Sequence, residues 1–460
     1  MFDTSLYVAR RATLAASLTG LGLFPAAPSS PMNYASNHHP YVQDSCFAYY
    51  FGLNRSGLVG LIDFDSGESL LFGDDPSLDD LIWLGPKTPL REEAARVGVA
   101  AVRPLADLAP FLFDVSRGRM IHYTPPYRQT SVARIGAWLG RGADEVVAGA
   151  SAPLVAAIVA QREIKSPEEI AEMELALAVT AEMHATAARL ARPGVREHVV
   201  AGAVEGVARA ADRRLAYPVI FSAAGEVLHN DRRDQLLAAG DLVVHDSGAT
   251  SPLGYAGDIT RTLPIGGRFS ARQRLCYDLV LAAQKAAIAA CRAGTPYLEV
   301  HKCAARVLVE GLIAEGLFRG DPQAIVDSGA YALVFQTGVG HQIGLDVHDM
   351  EALGEASVGY DESVSRSPLF GLANLRMAKP LRAGMVVTVE PGLYFIPPLI
   401  EKWEAEGRHA DMIDYARVRA FTGVRGIRIE DDVLVTEDAP RILGPAIPKE
   451  AEEMEALLAD

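Results

Sequence analysis

Four stretches of this chain, widely separated in sequence, each place a metal-ligand type of side chain at the end of a β-rich run or beside a glycine. The first is Asp241 to Thr262, DLVVHDSGATSPLGYAGDITRT. Asp246 ends its β-rich run, and Asp258 begins a strand on which Asp258, Thr260 and Thr262 share one face. A turn between two adjacent antiparallel strands would carry both carboxylates to one site. The second stretch, GVGHQIGLDVHD, holds His341 and His348. In the third, MVVTVEPGLYF, Glu390 follows a run that reads as a buried strand. In the fourth, GIRIEDDVLV, Arg428 and Glu430 face one way while Ile427 and Ile429 face the other.

Taken singly, each residue has a plainer reading. An aspartate after a strand serves turns and caps, a strand-end glutamate before Pro-Gly marks a solvated edge, and a histidine between glycines is a hydrogen-bonded loop residue. Taken together, carboxylates plus one imidazole form an oxygen-rich set that suits two divalent ions such as manganese.

The rest of the chain organises around these stretches. At 460 residues it is too long for one ordinary core. Ser166-Pro167-Glu168-Glu169 is a strong helix start, with a hydroxyl cap, proline at the first helical position and glutamate at the third. It marks a boundary near residue 165. Before it, Gly57 to Phe64 and Ser69 to Phe72 flank the turn Asp65-Ser66-Gly67 and predict a hairpin. Val97 to Val102 reads as a strand and Ser131 to Leu139 as a helix, giving a self-contained α/β domain over residues 1–164. After it, Pro193-Gly194 stops the helix begun at Pro167, a second long helix starts at Ser270 with Gln273 completing a capping box, and a third covers Leu298 to Leu312. Strands at Leu242 to His245 and Met385 to Val389 complete two rough helix–helix–strand units. The class is α+β.

A formal charge of -15 argues against a nucleic-acid partner. No stretch has the roughly 20 apolar residues needed to span a bilayer. Arg10-Arg11 before the run Ala12 to Phe24 faintly imitates an export signal, but polar residues and glycines dilute that run. An amphipathic helix with both arginines exposed, leading into a first strand, is the expectation, in a cytoplasmic protein. Cys46, Cys276, Cys291 and Cys303 show no metal or redox spacing and read as buried thiols in a reducing compartment.

The four motifs in this order resemble the pita-bread metallopeptidases, in the proline-directed branch that holds prolidase (Xaa-Pro dipeptidase) and aminopeptidase P. The similarity extends to REIKSPEEI before the catalytic domain (residues 165–460) and, in the N-terminal creatinase/prolidase-like domain, to YVQDSCFAYYFGL and GLIDFDSGESLLF. The resemblance implies that Asp246 chelates one metal, that Asp258 and Glu430 bridge both, and that His341 and Glu390 complete the ligand set of the other metal. The metals are expected to be manganese, with cobalt or zinc as alternatives, and to lower the pKa of water enough to supply a nucleophile near neutral pH. Glu390 is the expected general base and acid. His348 would stabilise the oxyanion or hold the proline side, His229 matches the histidine near the scissile bond, and Arg428 matches the cation beside the bridging glutamate. Metal-free and non-catalytic relatives lose these ligands, whereas all five stand here.

The substrates implied are proline-containing di- or oligopeptides, and a homodimer or homotetramer is expected. Asn374-Leu375-Arg376-Met377-Ala378-Lys379 resembles the prolidase segment whose arginine grips a dipeptide's carboxylate, and Ile396 to Arg425 matches a prolidase insertion. Both favour a dipeptidase over an aminopeptidase. Three departures bear on substrate range and turnover rather than on the ligands. The Asp246–Asp258 spacing is one residue longer than is usual, Thr337 replaces a common histidine, and Asn230 replaces a common tyrosine.

Overall fold

The computed structural model describes residues 1–459. Two compact units emerge, one formed by residues 1–162 with 350–357, the other by residues 163–349 with the described residues from 358 onward.

In the first unit a five-stranded sheet has the order β4-β3-β2-β1-β5. Its strands are β1 (Leu21–Pro25), β2 (Val59–Asp63), β3 (Ser69–Phe72), β4 (Ala101–Arg103) and β5 (Ile121–His122). The Asp65-Ser66-Gly67 hairpin forms as the sequence predicts, with Val59 opposite Phe72 in antiparallel register. The expected strand at Val97 to Val102 is shorter and later, because the helix Leu90–Arg96 and its cap at Val97 take up the start of that run. The helix Gln129–Leu139 covers the sheet with Leu108 and Leu112, burying Leu23, Leu61 and Phe72 between them.

The expectation for Arg10 and Arg11 is overturned. They lie on the helix Thr4–Ala15, and each is only 4% exposed. The cause is the neighbouring helix Ser45–Phe51, whose last-turn carbonyls have no partner within their own helix. Arg10 donates to the carbonyl of Tyr49 at 3.1 Å and lies 3.9 Å over that ring's centroid. Arg11 donates to the carbonyls of Tyr50 and Val97, both at 2.7 Å. Burial pushes the Arg11 guanidinium down to about 10.

In the second unit both expected capping boxes are present. Ser166 starts the helix Pro167–Leu190 and Ser270 starts the helix Ala271–Ala290. Each long helix pairs with the next one in the chain, Glu197–Ala210 and Tyr297–Ala314 respectively. The first pair leads into β6 (Ile220–Ser222), β7 (Leu242–Ser247) and β8 (Ile259–Pro264), an antiparallel sheet in that order. The second leads to β9 (Val386–Val389), β10 (Gly392–Tyr394), β11 (Gly426–Arg428), β12 (Asp431–Leu434) and β13 (Arg441–Ile442). Here β9 and β13 flank β12, and β10 pairs with β11. The bridges Thr260↔Glu430 and Gln342↔Val387 tie the two halves together. No helix among the described residues is long and apolar enough to cross a membrane, and none of the four cysteines is in a disulfide.

Replacing Arg11 with alanine leaves buried carbonyls without a donor and is expected to cost about 2–3 kcal/mol. A urea titration checks this. A midpoint equal to wild type would show that the buried guanidinium contributes nothing to stability.

Candidate metal centre

The strand pair β7–β8 sets the first half of the site. Asp246 stands opposite Thr260, and Asp258 immediately precedes β8. The connecting loop can close because it begins and ends in glycine. A β-carbon on Gly248 would overlap the carbonyl oxygen of Gly257. Glu390 leaves the end of β9, and Glu430 sits between β11 and β12, bridged to Thr260. His341 comes from an irregular segment held on β9, where its backbone N–H donates to the Thr388 hydroxyl oxygen at 3.2 Å. Gly340 allows that approach, since a side chain there would collide with the Thr388 carbonyl.

Ligand atoms of Asp258, His341 and Glu430 all lie within 4.8 Å of one another, and all three residues are buried. His341 Nε2 is 3.5 Å from Asp258 Oδ2 and 3.6 Å from Glu390 Oε1. With Nδ1–H donating to the Gln342 carbonyl at 3.0 Å, Nε2 is the nitrogen left facing the carboxylates and able to ligate a cation. Arg428 Nη2 donates to Asp246 Oδ2 at 2.6 Å, Nη1 to the Tyr394 hydroxyl at 3.0 Å and Nε to Thr260 Oγ1 at 3.1 Å. Thr260 Oγ1 in turn donates to Glu430 Oε2 at 2.7 Å. The five expected ligands and Arg428 therefore form one cluster.

Three further expected residues, His348, His229 and Arg376, line the same cavity of about 800 Å³. The His348 ring lies 4.3 Å from that of His341. Burial holds His348 down at about 2, helped by the nearby His341, Arg376 and His229, so its imidazole is neutral. Among the departures, Asn230 donates to Ser222 Oγ at 2.7 Å. The Thr337 hydroxyl is buried without a hydrogen-bond partner among the described residues.

Sequence reasoning missed Tyr217. Its hydroxyl reaches Asp246 Oδ1 at 2.6 Å and also touches Asp258 Oδ1. No spacing or glycine marks it in LAYPVIF. His184 is a second omission, its Nε2 lying 3.1 Å from the Ile259 carbonyl at the start of β8.

The electrostatics decide what this cluster can hold. Burial raises the pKa of Glu430 well above the usual carboxylate range, and the charges of Asp258, Glu390 and Asp246 raise it further. Burial likewise raises Asp246, against the opposing pull of Arg428. Glu390 is pushed up to about 7 by burial, His341 and Arg428 counteracting. Burial alone would lower His341, but Asp258 and Glu390 outweigh it and hold the imidazole above its ordinary value. Carboxylates crowded in this way lack positive charge, and their oxygens with one imidazole nitrogen suit hard or borderline divalent cations. The residues fit such a group.

The comparisons with known proteins agree. The model of metallopeptidase family M24 matches residues 171–437, and that of the aminopeptidase P N-terminal domain matches residues 7–122. The chain is 30% identical to the Xaa-Pro aminopeptidase of Escherichia coli, over 92% of this chain and 90% of that protein. It is also 30% identical to the human Xaa-Pro dipeptidase, over 91% of this chain and 84% of the other. Among solved structures, the aminopeptidase PepP of Pseudomonas aeruginosa superposes with a TM-score of 0.81 at 29% identity, covering 100% of this chain and 98% of that one.

The raised carboxylates give a pH signature for the metal-free protein. Folded Glu390 keeps its proton to about pH 7, whereas an unfolded glutamate releases it near 4.5. Between those values the folded state binds more protons, so this group's contribution to stability falls as pH rises. Manganese(II) replaces those protons, and is expected to raise the melting temperature of chelator-treated protein more at about pH 7.5 than at about pH 5. Equal shifts at both pH values would contradict the assignment.

Proposed function

This chain belongs to metallopeptidase family M24, and on that premise we propose that it hydrolyses the peptide bond before proline, preferring Xaa-Pro dipeptides. In this reading residues 165–460 carry the chemistry and residues 1–164 form the N-terminal domain. Asp246 would hold one metal, Asp258 and Glu430 would serve both, and His341 and Glu390 would hold the other. Manganese is the proposed ion, with cobalt and zinc as alternatives. When bound, the ions acidify water and polarise the scissile carbonyl.

The chain's own residues do the rest. Glu390 accepts the proton of the attacking water on its carboxylate and returns it to the proline nitrogen, a role that suits a carboxyl held near neutral pH. Neutral His348 donates to the developing oxyanion or to the proline side of the substrate. His229 lines the same cavity and guides the scissile bond. Arg428 and Thr260 hold Asp246 and Glu430 in place.

The observation that carries the dipeptide preference is Arg376. It lines the cavity near enough to His348 to act on its charge, so a guanidinium stands where a substrate's free carboxylate can be gripped. Ile396 and Leu399, from the Ile396 to Arg425 insertion, also line the cavity. A second reading, an Xaa-Pro aminopeptidase acting on longer peptides, is favoured by the match to the aminopeptidase P N-terminal domain. A cytoplasmic homodimer or homotetramer belongs to the same proposal. The exposed Leu78, Ile82, Trp83 and Leu84 of the first unit support self-association.

Hydrolysis of an Xaa-Pro dipeptide and an Xaa-Pro-Yaa tripeptide tests both readings. Wild type is expected to prefer the dipeptide. Arg376→Ala is expected to lower kcat/KM for the dipeptide by about 10- to 100-fold, as loss of a charged hydrogen bond implies, with the tripeptide little changed. Glu390→Gln is expected to lose at least about 100-fold on either substrate while keeping its circular dichroism spectrum. A wild-type preference for the tripeptide would overturn the dipeptidase assignment.

A further inference from the structure

Behind the metal cluster lies a second polar knot that touches neither substrate nor ligand side chains. Side chains alternate along β8, so Thr260 and Thr262 face Glu430 and Arg428 while Arg261 points to the opposite side. Arg261 is 2% exposed, and all five of its N–H donors are used. Nη1 donates to the carbonyls of Glu430 at 2.7 Å and Thr260 at 2.9 Å. Nη2 donates to Asp431 Oδ1 at 2.8 Å and the Ile447 carbonyl at 3.0 Å, and Nε to the Pro448 carbonyl at 2.9 Å.

The knot continues into the C-terminal segment. Asp431 Oδ2 accepts from Lys449 Nζ at 2.5 Å and from Gln284 Nε2 at 2.7 Å. Lys449 Nζ also reaches Gln284 Oε1 at 3.0 Å, and the Lys449 carbonyl accepts from the Tyr277 hydroxyl at 2.9 Å. One guanidinium thus ties three backbones together: β8 just after Asp258, the turn that carries Glu430, and the strap of residues 445–449. The strap is anchored in turn to the helix Ala271–Ala290 through Gln284 and Tyr277.

We propose that Arg261, braced by Lys449 and the strap of residues 445–449, is a positioning residue that fixes the spacing of Asp258 and Glu430 and thereby sets the site's affinity for divalent ions. The inference rests on the metal assignment above. Both carboxylates sit beside backbone that Arg261 holds, and they repel one another, so the clamp resists their separation in the absence of a cation. A metal then meets a site already at binding distance, and the ordering cost is met by folding rather than by binding. Lysine at position 261 keeps a charge for Asp431 but has no planar fork to reach Glu430, Ile447 and Pro448 together.

Calorimetric titration of chelator-treated protein with manganese(II) tests this, with the melting temperature of each metal-free variant measured alongside. Arg261→Lys and Lys449→Met are expected to bind manganese about tenfold or more weakly than wild type, as loss of outer support to metal ligands does. Their metal-free melting temperatures are expected to fall by only a few degrees. Lys449→Met, whose altered side chain is partly exposed, keeps the test decisive if the Arg261 variant does not fold. Wild-type affinity in either folded variant would overturn the proposal. A wild-type protein that binds no divalent ion would instead overturn the metal assignment on which it rests.

Discussion

Mutual repulsion among buried carboxylates is the constraint on which the rest of this structure depends. Asp246, Asp258, Glu390 and Glu430 face one cavity where burial raises the cost of every negative charge. Removing any one of them would relieve the others, yet four strand ends, two antiparallel pairings and a bridge between the halves all serve to bring them together. Arg428 compensates part of the charge, through Asp246 and through Thr260 to Glu430. Divalent ions are the natural complement for the remainder, and a fold that spends stability on such a cluster spends it on function.

The same constraint explains how the histidines divide their work. His341 sits between two carboxylates and keeps Nε2 turned towards them. His348, one ring away, is kept neutral by burial, with the cationic and imidazole groups of Arg376, His341 and His229 adding to the effect. One motif therefore yields an imidazole held among carboxylates and a neutral imidazole from identical side chains. Environment, not residue type, separates them.

Much of this was legible in the sequence, for reasons that differ by residue. Ser166 and Ser270 announce their helices because capping is local chemistry, complete within four residues. The clustered carboxylates and His341 were legible because their glycines and strand contexts are also local. Arg10 and Arg11 were misread because what buries them, the end of the helix Ser45–Phe51, is supplied by a distant segment. Tyr217 and Arg261 escaped notice for the same reason. Their importance lies wholly in contacts made across the chain, Tyr217 to Asp246 and Asp258, and Arg261 to Glu430 and Pro448. Periodicity and spacing carry no record of such contacts until the fold is in hand.

The central claim is that these five residues form one dinuclear site. Its most direct measurement is the metal content of the protein after equilibration with manganese(II), read by elemental analysis and compared with Asp258→Ala. The account predicts two ions per chain in wild type and loss of both in the variant, since Asp258 serves both. One ion or none in wild type, or two retained without Asp258, would contradict it.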